Sequence, residues 1–230
     1  MSPVLVTAGL GKDYDETVAL DDLSVSVDAG ERVMVVGPNG SGKTTLLRIT
    51  AGLLEATSGK ATVAGAPPGS LPARAATSYI PDAPVLYDDL SVAEHLEYVG
   101  RLHGNEDWQD SAEELVERLG LEERVDDLPA RFSRGLRQKT SIARAVLKRP
   151  DLLILNEATS ALDGPAQSKV SEGLKEEVAG RGLIWVLHRA SLARNFDRVL
   201  VLSNGKLEEQ GSLSDLEGNG SLMSLLMAAE

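Results

Sequence analysis

Residues 37–44 read Gly-Pro-Asn-Gly-Ser-Gly-Lys-Thr, a match to G-x-x-x-x-G-K-[ST]. The run stands between an apolar stretch, Val33 to Val36, and a helix-like run from Thr45. Strand, glycine-rich loop and helix, in that order, are what a phosphate-binding loop requires, so a buried strand must deliver the loop and a helix must leave it. Gly37, Gly40 and Gly42 let the backbone wrap a polyphosphate with its N–H groups inward, while Pro38, Asn39 and Ser41 complete the loop. The helix beginning at Lys43-Thr44 offers its positive end to the same anion. Lys43 is expected to reach the β- and γ-phosphates, and the Thr44 hydroxyl to sit on Mg²⁺. A surface turn that happened to end in Lys-Thr would need neither strand nor helix. The pattern therefore predicts a nucleoside triphosphate site.

The chain has 230 residues, 42% of them hydrophobic, enough to fill the core of a globular protein. No apolar run approaches the ~18 residues of a membrane span, and the start Met1-Ser2-Pro3-Val4-Leu5 has no basic leader. The expectation is a chain neither inserted nor exported. The absence of cysteine excludes disulfides, thiolate metal sites and a cysteine nucleophile, and agrees with a cytoplasmic setting. A formal net charge of −12 opposes broad contact with nucleic acid or an anionic membrane surface.

Along the chain, Val4 to Ala8 and Leu23 to Val27 read as strands, with Tyr14 between them in a polar, acidic stretch. Either stacking on a nucleotide base or packing on its own sheet accounts for Tyr14. A helix from Thr45 to Leu54, a strand from Lys60 to Ala64, a Pro67-Pro68-Gly69 loop and a strand from Thr77 to Ile80 follow. The texture then turns helical. Ser91-Val92-Ala93-Glu94 is a capping box for a helix reaching Leu102, Ser111 to Leu119 is a second helix closed by Gly120, and Ser133 caps a third that stops at Pro150. His95 and His103 read as solvated. Leu152 to Leu155 and Leu183 to Leu187 are buried-type strands around a helix from Pro165 to Val178. Val199 to Leu202, the turn Asn204-Gly205 and Lys206 to Gln210 form a hairpin, and Leu222 to Met227 a last helix. The fold class expected is α/β, a mostly parallel sheet with flanking helices, an antiparallel β part and an inserted helical part. A single unit over 1–230 is expected, with a core of 1–82 and 150–230 and a helical subdomain of 83–149.

In open α/β sheets the site lies beyond the carboxyl ends of the strands. Three such ends carry polar residues: Asp82 after Ile80, Asn156-Glu157 after Leu155, and His188 after Leu187. A carboxylate there can orient an attacking water, and a histidine can hydrogen-bond the γ-phosphate. Singly, His188 also fits a structural histidine and Glu157 a helix-start carboxylate.

In combination the chain resembles the nucleotide-binding domain of ABC transporters along nearly its whole length. Pro38 to Thr45 looks like that family's Walker A, and Phe132-Ser133-Arg134-Gly135-Leu136-Arg137-Gln138 like its signature, usually Leu-Ser-Gly-Gly-Gln. Leu152 to Glu157 resembles Walker B with the catalytic glutamate, Ser160-Ala161-Leu162-Asp163 the D-loop, and His188 the switch histidine. Tyr14 falls where the family stacks an aromatic on adenine. The resemblance implies ATP as ligand, Mg²⁺ as cofactor, and a head-to-tail pair in which Ser133 and the Gly135 amide bind the γ-phosphate held by a second nucleotide-binding domain. It implies a transmembrane ABC permease as partner, and a place on the inner face of the cell membrane through that permease alone.

Three departures stand out. Asn156 replaces the Walker B aspartate beside the Mg²⁺ shell, and Asp82 stands where the family usually has the Q-loop glutamine. Arg134 replaces the first signature glycine, and Leu136 the usual glutamine. Thr44, Asp82 and Asn156 are the candidate metal residues. The carboxylate count at 82 and 156 matches the family pattern, which reads as one exchange across the metal site; the alternative is a plain loss at Asn156. Pro81 to Leu90, Glu157 to Ser160 and Glu209 to Ser212 look like exporter cassettes, and no regulatory domain of the importer kind fits after Leu202. An exporter ATPase is the first reading. A weakly hydrolysing cassette that regulates a partner is the second. Action on DNA or ribosomes is opposed by the acidic charge, the single cassette and the mere 51 positions between Asp82 and Ser133.

Overall fold

The computed structural model describes residues 2–216 and 221–228. In chain order it has strands β1 (Pro3–Tyr14), β2 (Thr17–Leu23), β3 (Ser26–Asp28) and β4 (Arg32–Val36), helix α1 (Lys43–Thr50), β5 (Ser58–Val63), α2 (Leu71–Ala76) and β6 (Thr77–Ile80). Helices α3 (Val92–Leu102), α4 (Trp108–Leu119) and α5 (Arg134–Leu147) come next, then β7 (Leu152–Asn156), α6 (Gly164–Glu177) and β8 (Gly182–Val186). The chain ends with β9 (Arg198–Ser203), β10 (Lys206–Gly211), α7 (Leu213–Leu216) and α8 (Leu222–Ala228). These elements form two compact units, Met1–Tyr79 with Asp151–Asn156 and Gly180–Glu230, and Ile80–Pro150 with Glu157–Ala179. The sequence division kept 157–179 with the core. By contact, α6 goes with the helices, because Arg118 of α4 reaches Glu176 and Glu177.

In the first unit, β1 pairs antiparallel with β2, β3 and β5. The second sheet runs β10-β9-β4-β8-β7-β6, with β9, β4, β8 and β7 parallel and β10 turned back on β9 through Asn204-Gly205. Strands β7 and β8 are buried along their whole length, as near-continuous apolar runs in a parallel sheet must be. One core joins both sheets, with Leu5, Leu10 and Val27 from the antiparallel sheet, Val35, Ile154, Ile184 and Leu200 from the parallel one, and Leu46, Leu47 and Ile49 from α1. The expected architecture is present.

Local differences have physical causes. The strand expected over 23–27 is split, because the buried Thr7 hydroxyl bonds Leu23 O (3.1 Å) and Val25 N (2.9 Å) and takes the place of a regular ladder there. Helix α1 stops four residues short of Leu54. Gly52, at φ 72°, closes it as Gly52 N donates to Ile49 O and Leu53 N to Arg48 O.

In the second unit, α3, α4 and α5 pack on one another, with Leu96, Leu115, Ile142 and Val146 among their buried residues. Ser91 and Glu94 form the capping box, Gly120 ends α4 in the left-handed conformation, and the Ser133 hydroxyl accepts from Leu136 N at 3.2 Å. His103 is exposed, as expected. His95 is not: it is fully buried, on the stripe Val92, His95, Leu96, Val99 that recurs at i, i+3, i+4 and i+7.

The His95 ring has a fixed protonation. Tyr87 N donates to Nε2 at 2.9 Å, and Nδ1 lies 2.8 Å from Ser91 O, which can only accept, so the proton sits on Nδ1 and the ring is neutral. Burial, more than any neighbour, pushes this imidazole below its ordinary range, and the charge on Arg144 adds to it. The unfolded chain takes up a proton at about pH 6.5, which the folded ring accepts only at lower pH. The unfolded state therefore binds more protons in that window, and stability falls as pH drops through it. Thermal melts between pH 7 and pH 5.5 should show a steeper loss of Tm for the parent than for His95→Gln; parallel curves would remove His95 as the titrating group.

Candidate functional site

The glycine loop is built in the first unit. Strand β4 ends at Val36, the loop turns through residues 37–42, and α1 begins at Lys43. Gly42, at φ 98°, is the N-cap of α1, and a Cβ on it would lie 2.4 Å from Ala19 O. Gly37 would place a Cβ 2.1 Å from Leu202 O. Only glycine fits either position. The loop is braced from β9–β10, where Gly205 N donates to Ser41 O at 3.2 Å. Lys43 Nζ folds over the loop and donates to Gly37 O and Pro38 O at 2.8 Å each. A buried ammonium is thus held at the open end of α1, where both its charge and the helix dipole favour an anion.

Parallel β4, β8 and β7 bring three expected residues to one edge. Val35 pairs with Val186 and Val186 with Asn156, so the loop after Val36, the residues after Val186 and the end of β7 leave the same carboxyl end of the sheet. Thr44 Oγ1 lies 3.4 Å from Asn156 Oδ1, a hydroxyl and an amide oxygen on the two strands' ends. The Asn156 side chain also acts on the Tyr79 phenol. Burial pushes the phenol up, against the influence of Asn156 and the charge on Arg48, so the hydroxyl stays protonated. His188 is exposed just past β8, and Tyr14 is 44% exposed with Lys12 Nζ 5.2 Å from its ring centre. Tyr14 is thus partly exposed at the end of β1, with the Lys12 ammonium over its ring.

The second unit holds the remaining candidates. Ser133 and Gly135 lie at the start of α5, where Gly135 faces Leu162 and Ala161. Glu157 follows directly on Asn156 and carries a left-handed backbone, φ 54°. From it a turn runs through Ser160 N to Glu157 O (2.9 Å), and Asp163 caps α6 by accepting from Ala166 N at 2.8 Å. Asp82 sits among side chains of this unit: its Oδ1 accepts from Arg134 Nη2 at 2.7 Å and from Ser160 Oγ at 2.8 Å. Sequence reasoning gave no role to Gln138 or Tyr79. Gln138 was legible as the residue one helical turn beyond Arg134, on the same face of α5.

The donor set suits Mg²⁺ only in part. Among the described residues no group of three His, Cys, Asp or Glu could hold a metal ion. Two neutral oxygens from Thr44 and Asn156 fit a small cation that takes most of its ligands from phosphate and water.

The sequence model described as ABC transporter matches residues 20–160. Over 208 residues the chain is 33% identical to the SkfA peptide export ATP-binding protein SkfE of Bacillus subtilis, covering 86% of this chain and 84% of that protein. It is 36% identical over 218 residues to the mycobactin import ATP-binding/permease protein IrtB of Mycolicibacterium smegmatis, covering 90% of this chain and 38% of that one. The chain thus spans well under half of some curated relatives. A solved structure described as an ATP binding subunit of an ABC transporter superposes with a TM-score of 0.85 at 31% identity, over 98% of both chains.

Lys43 is a point charge at the loop rather than a contributor to the apolar core, so Lys43→Ala should leave the circular dichroism spectrum unchanged. Loss of its charged hydrogen bonds should weaken ATP binding by about 30-fold or more, read with a fluorescent ATP analogue. Parental affinity in the variant would take Lys43 out of the site.

Proposed function

The chain belongs to the ABC transporter family as an ATP-binding, ATPase-type cassette, and on that premise we propose that it hydrolyses MgATP in a head-to-tail pair of cassettes and so drives a separate membrane permease. The observation that carries this is the glycine loop with Lys43 inside it and the Thr44–Asn156 pair beside it, on the carboxyl edge of the parallel sheet. The loop amides and Lys43 bind and orient the polyphosphate, and Tyr14 offers its exposed ring to adenine. Thr44 and Asn156 would hold Mg²⁺, which would offset the negative charge of the polyphosphate. Glu157 accepts the proton of the attacking water, and His188 donates to the γ-phosphate as charge builds there. Ser133 and the Gly135 amide serve the nucleotide bound by the second cassette, so ATP closes the pair and hydrolysis releases it.

Export is the direction we assign, from the likeness of Pro81 to Leu90 and Glu157 to Ser160 to exporter cassettes. SkfE, named for peptide export, agrees, whereas IrtB is named for import. Reconstitution with its permease in vesicles, with ATP inside or outside, decides the direction. We place the cassette in the cytoplasm, at the membrane through that permease, by its likeness to ABC ATP-binding subunits. The described residues hold no helix long and apolar enough to cross a membrane.

One observation favours the second reading, a slow cassette that regulates a partner. The Asn156 amide supplies no negative charge to the cation, and its oxygen is shared with the Thr44 hydroxyl. Asn156→Asp should lower the Mg²⁺ concentration for half-maximal ATPase activity several-fold. A rise in turnover with it supports the slow reading, and unchanged turnover supports full activity in the parent.

Glu157→Gln should keep ATP binding, lower turnover by roughly 100-fold and accumulate an ATP-dependent dimer in sizing chromatography. A variant that stays monomeric with ATP, or turns over at the parental rate, removes Glu157 from the role.

A further inference from the structure

Two of the departures from the family pattern, Asp82 and Arg134, are the two ends of one ion pair, Arg134 Nη2 to Asp82 Oδ1 at 2.7 Å. Glutamine and glycine at these positions could not form it. Both side chains are about half exposed, and an isolated pair of that kind contributes little stability. What distinguishes this one is the oxygen it shares. Asp82 Oδ1 also accepts from Ser160 Oγ, and Arg134 Nη2 lies 3.3 Å from the same Ser160 Oγ. One turn along α5, the fully buried Gln138 donates from Nε2 to Ser160 Oγ at 3.1 Å and accepts at Oε1 from Ala161 N at 3.1 Å. Its Nε2 also lies 3.4 Å from Glu157 O and from Asp82 O.

The Glu157–Ala161 turn is therefore fastened to the first two turns of α5 by one carboxylate, one guanidinium and one buried amide. From this the geometry points to Asp82 and Arg134 as a positioning pair: together they hold the Glu157–Ser160 turn in register with the start of α5, and Asp82 acts through Ser160 rather than on the metal. The pair explains two departures with one contact, and it leaves the Thr44–Asn156 pair to the cation. Neither side chain touches nucleotide in this role; each acts through the backbone that carries Glu157. This rests on the proposed hydrolytic function for its kinetic reading only.

The test uses the full-length protein, with Asp82→Asn, Arg134→Gln, both together, and the reversed pair Asp82→Arg with Arg134→Asp. Each single change should lower kcat about tenfold or more, with KM for ATP and the Mg²⁺ concentration for half-activation within twofold of the parent. The double neutral variant should be no worse than the worse single one, and the reversed pair should recover most of the loss. Hydrogen–deuterium exchange gives a readout that needs no turnover: the Ala161 amide should exchange several-fold faster in either single variant, while the amides of residues 39–44 keep their parental rates. A parent without ATPase activity defeats the functional proposal and leaves this one to the exchange measurement. Losses that multiply in the double variant, a Mg²⁺ requirement raised by Asp82→Asn but not by Arg134→Gln, or unchanged Ala161 exchange would each overturn the positioning role.

Discussion

The nucleotide half of this protein depends on two places where backbone meets backbone with no room for a side chain. Gly37 approaches Leu202 O in β9, and Gly42 approaches Ala19 O in β2. The two carbonyls belong to different sheets, so the loop is a joint between the antiparallel and the parallel sheet as well as a cradle for phosphate. Asp21 N bonding Gly205 O, and Gly205 N bonding Ser41 O, tie the same joint from the side of the hairpin turn. A loop clamped in this way enters binding already ordered, and little conformational entropy is lost when a ligand fills it.

Charge is distributed with the same economy. The chain is strongly acidic overall, yet the buried end of α1 carries Lys43, and the residues nearest it that could take a cation, Thr44 and Asn156, are neutral. Phosphate therefore meets positive charge with no fixed carboxylate from that pair beside it. In the other unit the positive Arg134 at the start of α5 is balanced by Asp82 rather than left to the solvent. Asp82, Arg134 and Asn156 thus each have a local partner, and these three departures are a matter of where charge sits rather than of fold.

Most of the fold was legible because the elements carried their own punctuation. The Ser91–Glu94 capping box, Gly120 after α4, Ser133 before α5 and the Asn204-Gly205 turn are all short-range signals, and all appear where they were read. Misreadings came where a contact or a helical period outweighed residue type and local alternation. The Thr7 hydroxyl, 16 residues from Leu23, splits a strand whose alternation looked continuous. His95 looked solvated by residue type, but its place in the helical period put it inside, and Tyr87 supplied the donor that a buried imidazole needs. Within the site, the glycine loop and Asn156 follow from motif and strand order. The partners of Asp82 do not, because 52 residues separate it from Arg134 and no periodicity links them.

The backbone at Glu157 has a consequence of its own. A glutamate in the left-handed region is held there at a cost of roughly 1–2 kcal/mol relative to its relaxed conformation. A β-branched residue would be more strained still, and glycine would be relaxed. The position that carries this carboxylate is thus one where the chain itself prefers no side chain at all. Replacing the acid with glycine would relax the backbone there, so the carboxylate is held at the expense of local stability.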